Sequence, residues 1–110
     1  MIDYIDSLDY FSTILQIETQ QDTPNQTFDS YINGVLFQFI IRTYNSNRST
    51  ITIYENGELI CEEAPFLVNM NLAFFSNKEN YAFFFLTSKA MQSYNYSNLG
   101  KELRLYYGSI

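Results

Sequence analysis

Two Asn-Gly dipeptides, Asn33-Gly34 and Asn56-Gly57, each separate two runs of alternating apolar and polar residues. Asn followed by Gly tolerates the left-handed backbone needed at both central positions of a type I′ turn, whose twist matches the strands it joins. The chain is therefore bound to antiparallel hairpins. In the first, Gln26–Ile32 runs into Val35–Tyr44, and a two-residue turn pairs Ile32 with Val35, Ser30 with Phe37 and Phe28 with Phe39. That register puts Phe28, Ile32, Val35, Phe37, Phe39 and Ile41 on one face, with Asp29, Tyr31, Gln38 and Arg42 on the other. A slip of one residue would carry Asp29 to the core side, so the register is strongly specified.

The second hairpin presents a conflict. A two-residue turn at Asn56-Gly57 sets Glu55 opposite Glu58, and like charges directly across a ladder are destabilising. The spacing therefore predicts a three-residue loop, Glu55-Asn56-Gly57, with Gly57 left-handed in a bulge. Strands of about Ser49–Tyr54 and Glu58–Glu62 then align Ile51 and Ile53 with Cys61 and Leu59.

Elsewhere, Ser12–Thr19 alternates as a first strand, and Gln20–Asn25, with Pro24, is turn-like. Phe66–Val68 suits a short strand, Asn69–Phe75 a strand end or helical turn, and Ser76–Asn80 a polar loop. Tyr81–Thr87 contains the consecutive Phe83, Phe84 and Phe85, which implies a strand buried on both faces. Ser88–Asn98 is polar, and Lys101–Tyr107 closes the chain with Leu103 and Leu105 inward and Arg104 outward. About seven short strands at this spacing predict an all-β fold, a small antiparallel barrel or sandwich over residues 12–110.

Residues 1–11 form a short acidic arm. Ile2, Ile5 and Leu8 fall on one helical stripe, but a helix of about three turns is marginal in water. The arm is expected to lack order alone and to lay Ile5, Leu8 and Phe11 into a partner's groove rimmed with Lys or Arg. Charge supports this assignment. The net charge is −6, and Asp3, Asp6, Asp9, Glu18, Asp22 and Asp29 all precede the first base, Arg42. From Arg42 onward six acids balance six bases. An acidic chain is a poor ligand for nucleic acid, whose affinity comes from neutralised phosphates. No apolar run approaches the ~20 residues of a membrane helix, and the first residues lack the basic flank of a signal peptide. The expectation is a soluble chain synthesised in a cytoplasm.

Catalysis finds little support. The chain has no His, and its single Cys61 falls on the predicted inner face as a small buried hydrophobe. Glu62 and Glu63 are neighbours pointing to opposite sides of a strand, and Asp3, Asp6 and Asp9 lack the glycine of a calcium loop. The four glycines are scattered, so no phosphate-cradling loop exists. No enzyme, cofactor or metal is called for. Ten Tyr and ten Phe with only 16% charged residues suit a surface partly covered by protein. Tyr94, Tyr96, Tyr106 and Tyr107 are the candidate contact residues, with core packing and a sugar-stacking platform as the other uses of such rings.

Taken in order, Gln26-Thr27-Phe28, Ile32-Asn33-Gly34, Phe37, the Ile53–Ile60 hairpin and the closing Asn98-Leu99-Gly100-x-x-Leu103-Arg104-Leu105-Tyr106-Tyr107 resemble the baseplate plug family of contractile-tailed phages. The likeness covers roughly residues 12–110. It departs at Arg48-Ser49-Thr50, where the family carries Trp or Tyr, and at the added acidic arm. The resemblance implies a structural virion protein in the centre of a tail baseplate, synthesised in the host bacterial cytoplasm and present in multiple copies. Its implied partners are hub, spike, tail tube or tape-measure proteins, without nucleic acid and without a membrane span. Two other classes fit the composition: a virion-associated carbohydrate-binding module, and a cytoplasmic adaptor or inhibitor that binds a host protein.

Overall fold

The computed structural model describes residues 11–45, 48–68, 71–72 and 81–109. Seven strands occur in the order β1 (Thr13–Ile17), β2 (Gln26–Ile32), β3 (Val35–Tyr44), β4 (Arg48–Glu55), β5 (Glu58–Pro65), β6 (Tyr81–Thr87) and β7 (Leu103–Ser109). A short 3₁₀ turn, Tyr96–Asn98, precedes β7. The strands form two antiparallel sheets, a three-stranded β1-β7-β6 and a four-stranded β2-β3-β4-β5, which are not closed into a barrel.

The first hairpin follows from its turn. Asn33 and Gly34 both have positive φ, 52° and 80°, and the ladder pairs Ile32 with Val35, Ser30 with Phe37 and Phe28 with Phe39. Phe37, Phe39 and Ile41 are consequently buried, whereas Asp29, Tyr31 and Arg42 are exposed.

The second hairpin corrects the predicted loop. Asn56 and Gly57 are again both left-handed (φ 47° and 84°) and make a two-residue turn that does set Glu55 opposite Glu58. The repulsion is offset because the Tyr81 hydroxyl donates to the Glu55 carboxylate. The turn is also tied to β3: Asn56 N–H donates to Leu36 O (2.8 Å), and Leu36 N–H donates to Asn56 Oδ1 (3.0 Å). The extra residues lie instead within β5. The register shifts between Tyr54/Leu59 and Ile53/Cys61, and again before Ile51/Ala64, near Glu63 at φ 42°. Ile60 and Cys61 are thereby both buried, and Leu59 is exposed across from Tyr54.

The main core joins the inner faces of the two sheets. Phe37 and Phe39 of β3 meet Phe83 of β6 edge-on, with ring centroids 4.9 and 5.4 Å apart, and Phe37 also approaches Tyr107 of β7. Edge-to-face packing is the favoured arrangement of two ring quadrupoles. Phe85, Ile41, Ile51, Ile53, Leu99, Leu103 and Leu105 are also fully buried.

Phe84, between the inward Phe83 and Phe85, faces the other way and is nevertheless fully buried, as a strand buried on both faces requires. It stacks on Phe11 (5.6 Å) and Tyr106 (6.0 Å). Phe11 reaches it across Gly108, where a Cβ would lie 2.8 Å from the Phe11 ring. The edge of β6 is covered by the stretch that follows β5: Val68 bridges Phe85 and Leu72 N–H donates to Phe83 O. The predicted Ser76–Asn80 loop and the first ten residues of the arm lie outside the described residues.

Candidate docking surfaces

Alternation along the strands decides which rings face outward. Among the four C-terminal tyrosines, Tyr107 pairs with Leu15 and Phe83 and is buried in the core. This removes it from the contact surface. Tyr106, one residue earlier, falls on the outer face of the three-stranded sheet, half-buried beside Phe84. Tyr94 packs against the core while its hydroxyl donates to Lys89 O (3.0 Å) and accepts from Met91 N–H (3.1 Å). Tyr96 opens the 3₁₀ turn, and its N–H donates to the buried Ser49 hydroxyl (2.9 Å). The four rings thus do not form one platform.

Phe11 likewise departs from the arm assignment, because its ring is engaged by Phe84 in its own fold. Ile5 and Leu8 lie outside the described residues. The outer face of the three-stranded sheet carries Ile14, Ala82, Phe84, Leu86 and Tyr106 about Phe11, with Arg104 donating to Gln16 Oε1 at 3.5 Å along its side.

The outer face of the four-stranded sheet holds a ring set that was not singled out from the sequence. Tyr31, opposite Leu36 near the first turn, is 74% exposed. Tyr44 and Tyr54 flank a shallow hollow of about 340 Å³ that also takes in Arg42, Leu59, Glu62 and Glu63. The Tyr44 hydroxyl donates to the Glu63 carboxylate, and Arg48 lies over the Tyr44 ring at 5.5 Å. The bond to Glu63 is the main cause holding the Tyr44 phenol above its ordinary pKa, with burial adding to it. The signal for these rings was the alternation itself, since Tyr31 shares the polar side of its hairpin with Asp29, Gln38 and Arg42.

The groups with catalytic potential are tied down. Cys61 is buried, its thiol lies 3.7 Å from Ile51 O, and burial pushes its pKa up to about 11. A thiol so raised is not a nucleophile at neutral pH. Lys101 pairs with Asp22 (2.7 Å), the contact that raises its own pKa.

What remains is surface for contact, on a chain of two hydrogen-bonded sheets with an aromatic core and no activated side chain among these groups. Comparison with known families decides between its uses: the family model described as "Cyanophage baseplate Pam3 plug gp18" matches residues 14–110. The chain belongs to the cyanophage baseplate plug family. The match takes in all of β2 to β7 and leaves out the acidic arm. It confirms the resemblance carried by the two Asn-Gly hairpins and the Leu-Gly-x-x-Leu-Arg-Leu closing strand. A search of curated proteins found no match. Membership of the plug family gives the protein a structural role in a phage tail baseplate, a location in the virion tail, and other baseplate proteins as its associates. Among the described residues no helix is long and apolar enough to cross a membrane.

Proposed function

We propose that this chain fills the centre of the baseplate, at the hub near the junction of tail tube and spike, and acts by assembly without catalysis. The observation that carries the reading is the family match over residues 14–110. The distribution of the rings supports it: half-buried Tyr106 lies on the outer face of one sheet, and Tyr31, Tyr44 and Tyr54 lie on the outer face of the other. Tyrosines on both outer faces suit a subunit enclosed by neighbours, because Tyr contributes large contact area at low entropic cost. Hub, spike, tube or tape-measure proteins supply those neighbours, several copies of the chain enter each assembly, and synthesis takes place in the host cytoplasm. Contacts of this kind hold the central channel closed until the sheath contracts.

The acidic arm adds to the contact. Ile5 and Leu8, with Asp3, Asp6 and Asp9 between and beside them, dock into an apolar groove with a basic rim. Because Phe11 is part of the fold, the test deletes residues 1–10 and keeps Phe11. The shortened chain should fold and enter tails less completely, whereas full incorporation would remove the arm from the reading.

The experiment for the main reading is purification of tails through high salt. A plug with largely apolar contacts remains with the particles, and removal of its gene gives tails with an incomplete hub. Recovery of the protein only from the free lysate would instead support an adaptor or inhibitor of a host protein.

A second reading has one specific observation in its favour. Tyr44 and Tyr54 beside Glu62, Glu63 and Arg42 place rings next to carboxylates in one hollow, the combination that stacks on a sugar face and binds its hydroxyls. Glycan-array binding lost on Tyr54→Ala would establish it, and an array without signal would exclude it.

A further inference from the structure

The four outermost strands of the two sheets are β1, β6, β2 and β5. An outermost strand presents unpaired backbone groups and is normally guarded by charge, proline, a bulge or a covering segment. Three of the four are guarded. β5 carries Glu58, Glu62, Glu63 and Pro65 and two register shifts. β6 is covered by Val68 and Leu72. β2 carries Asp29, and its first residue Gln26 is locked by hydrogen bonds to Gln20 and Thr23.

Among the described residues, β1 has none of these devices. Thr13–Ile17 contains no charge and no proline, and it pairs with β7 in unbroken register from Thr13/Ser109 to Ile17/Leu105. Its side chains show what is missing. Leu15 lies opposite the buried Tyr107, on the side of the sheet that faces the core, yet it is 43% exposed. Ile14, on the outer side, is also exposed. A leucine on the core side of a sheet is left open in this way when no strand lies beside it, and among the described residues three strands face four.

We infer that the free edge of β1 receives an extended strand of another baseplate protein, one with alternating apolar side chains and Lys or Arg at its ends. Main-chain hydrogen bonds to β1 supply affinity, and one apolar side chain of the incoming strand covers Leu15. Charge selects the partner. In sequence, β1 is preceded by Asp3, Asp6 and Asp9 and followed by Glu18, while Asp22 is already paired with Lys101. Arg104, across on β7, is turned to Gln16. A second copy of this chain, of net charge −6, would bring the same acids against them, whereas a strand with basic ends complements them. The inference rests on the baseplate reading and names the surface through which that role is exercised.

Hydrogen exchange of the native chain, free and within purified tails, tests both and separates them. In tails the amides of Thr13–Ile17 should exchange at least about tenfold more slowly than in the free chain. The variant Leu15→Lys, which places a charge on an already exposed edge position, should keep its thermal midpoint and enter tails at least about tenfold less, while Leu15→Ile enters normally. If Leu15→Lys fails to fold, the exchange measurement on the native chain decides. A chain that is present in tails with β1 exchanging as fast as when free overturns the edge inference and leaves the baseplate reading standing. A chain absent from tails overturns both. Sedimentation of the isolated chain as a dimer with β1 protected would replace the basic partner by a second copy and overturn the inference.

Discussion

Gly108 shows how much a single position controls. Its lack of a side chain lets the Phe11 ring lie against the backbone of β7 and stack on Phe84. Gly108→Ala would put a Cβ at 2.8 Å from that ring, so Phe11 must move, at a cost of about 1–3 kcal/mol typical of overpacking. In a Phe11→Ala background the clash has no partner and the cost should largely vanish, which a double-mutant cycle of urea midpoints would detect. Phe39 and Gln38 make a second residue-scale test. Phe39→Asp places an unpaired carboxylate among fully buried rings and should unfold the chain, whereas Gln38→Asp, on the outer face, should be close to neutral by circular dichroism. Cys61 supplies a pH dependence. Burial raises its pKa from 9.0 to about 11, so the folded state holds the thiol proton more tightly than the unfolded state. That contribution to stability is complete below pH 9 and is lost as the pH rises toward 11. Cys61→Ala should flatten the decline in that window as followed by denaturant titration. The inward placement of Cys61, Phe37 and Phe39 was readable from alternation. The pairing of Phe11 with Phe84 was not, because residues this distant in sequence share no local pattern.

At the scale of elements, the hairpins separate what turn chemistry decides from what side-chain pairing decides. Asn33-Gly34 and Asn56-Gly57 adopt the same left-handed pair of conformations, so the backbone preference of Asn-Gly prevailed at both sites. At the second, the expectation of a longer loop came from the like charges of Glu55 and Glu58. It failed because a residue 26 positions away, Tyr81, donates its hydroxyl to Glu55, a partner that no local reading of the hairpin contains. The bulge expected at Gly57 does not form; Ile60 and the Glu62-Glu63 region instead absorb extra residues within β5. Gly57→Ala tests the backbone term alone, since φ is +84° and nothing lies within 4 Å of the added Cβ. A loss of about 1–2 kcal/mol, the left-handed penalty of a residue with a Cβ, should appear in thermal unfolding. A neutral result would mean that the turn relaxes to another type.

At the scale of the molecule, the features consistent with the plug family are spread over the whole surface. One sheet turns Tyr106 outward and the other turns three tyrosines outward, while acids are concentrated toward the N-terminal end of the sequence. The seven-strand antiparallel class was legible from turn spacing, and the division into two sheets was not, because that depends on β1 pairing with β7 across almost the full chain. Placement at the centre of the baseplate is the claim on which the account depends. A cryo-electron-microscopy map of intact tails tests it most directly. Density for the paired β1-β7-β6 and β2-β3-β4-β5 sheets is expected on or beside the tail axis at the tube–spike junction. Tails whose axial density is fully explained by other proteins, with this chain at the periphery or absent, would contradict it.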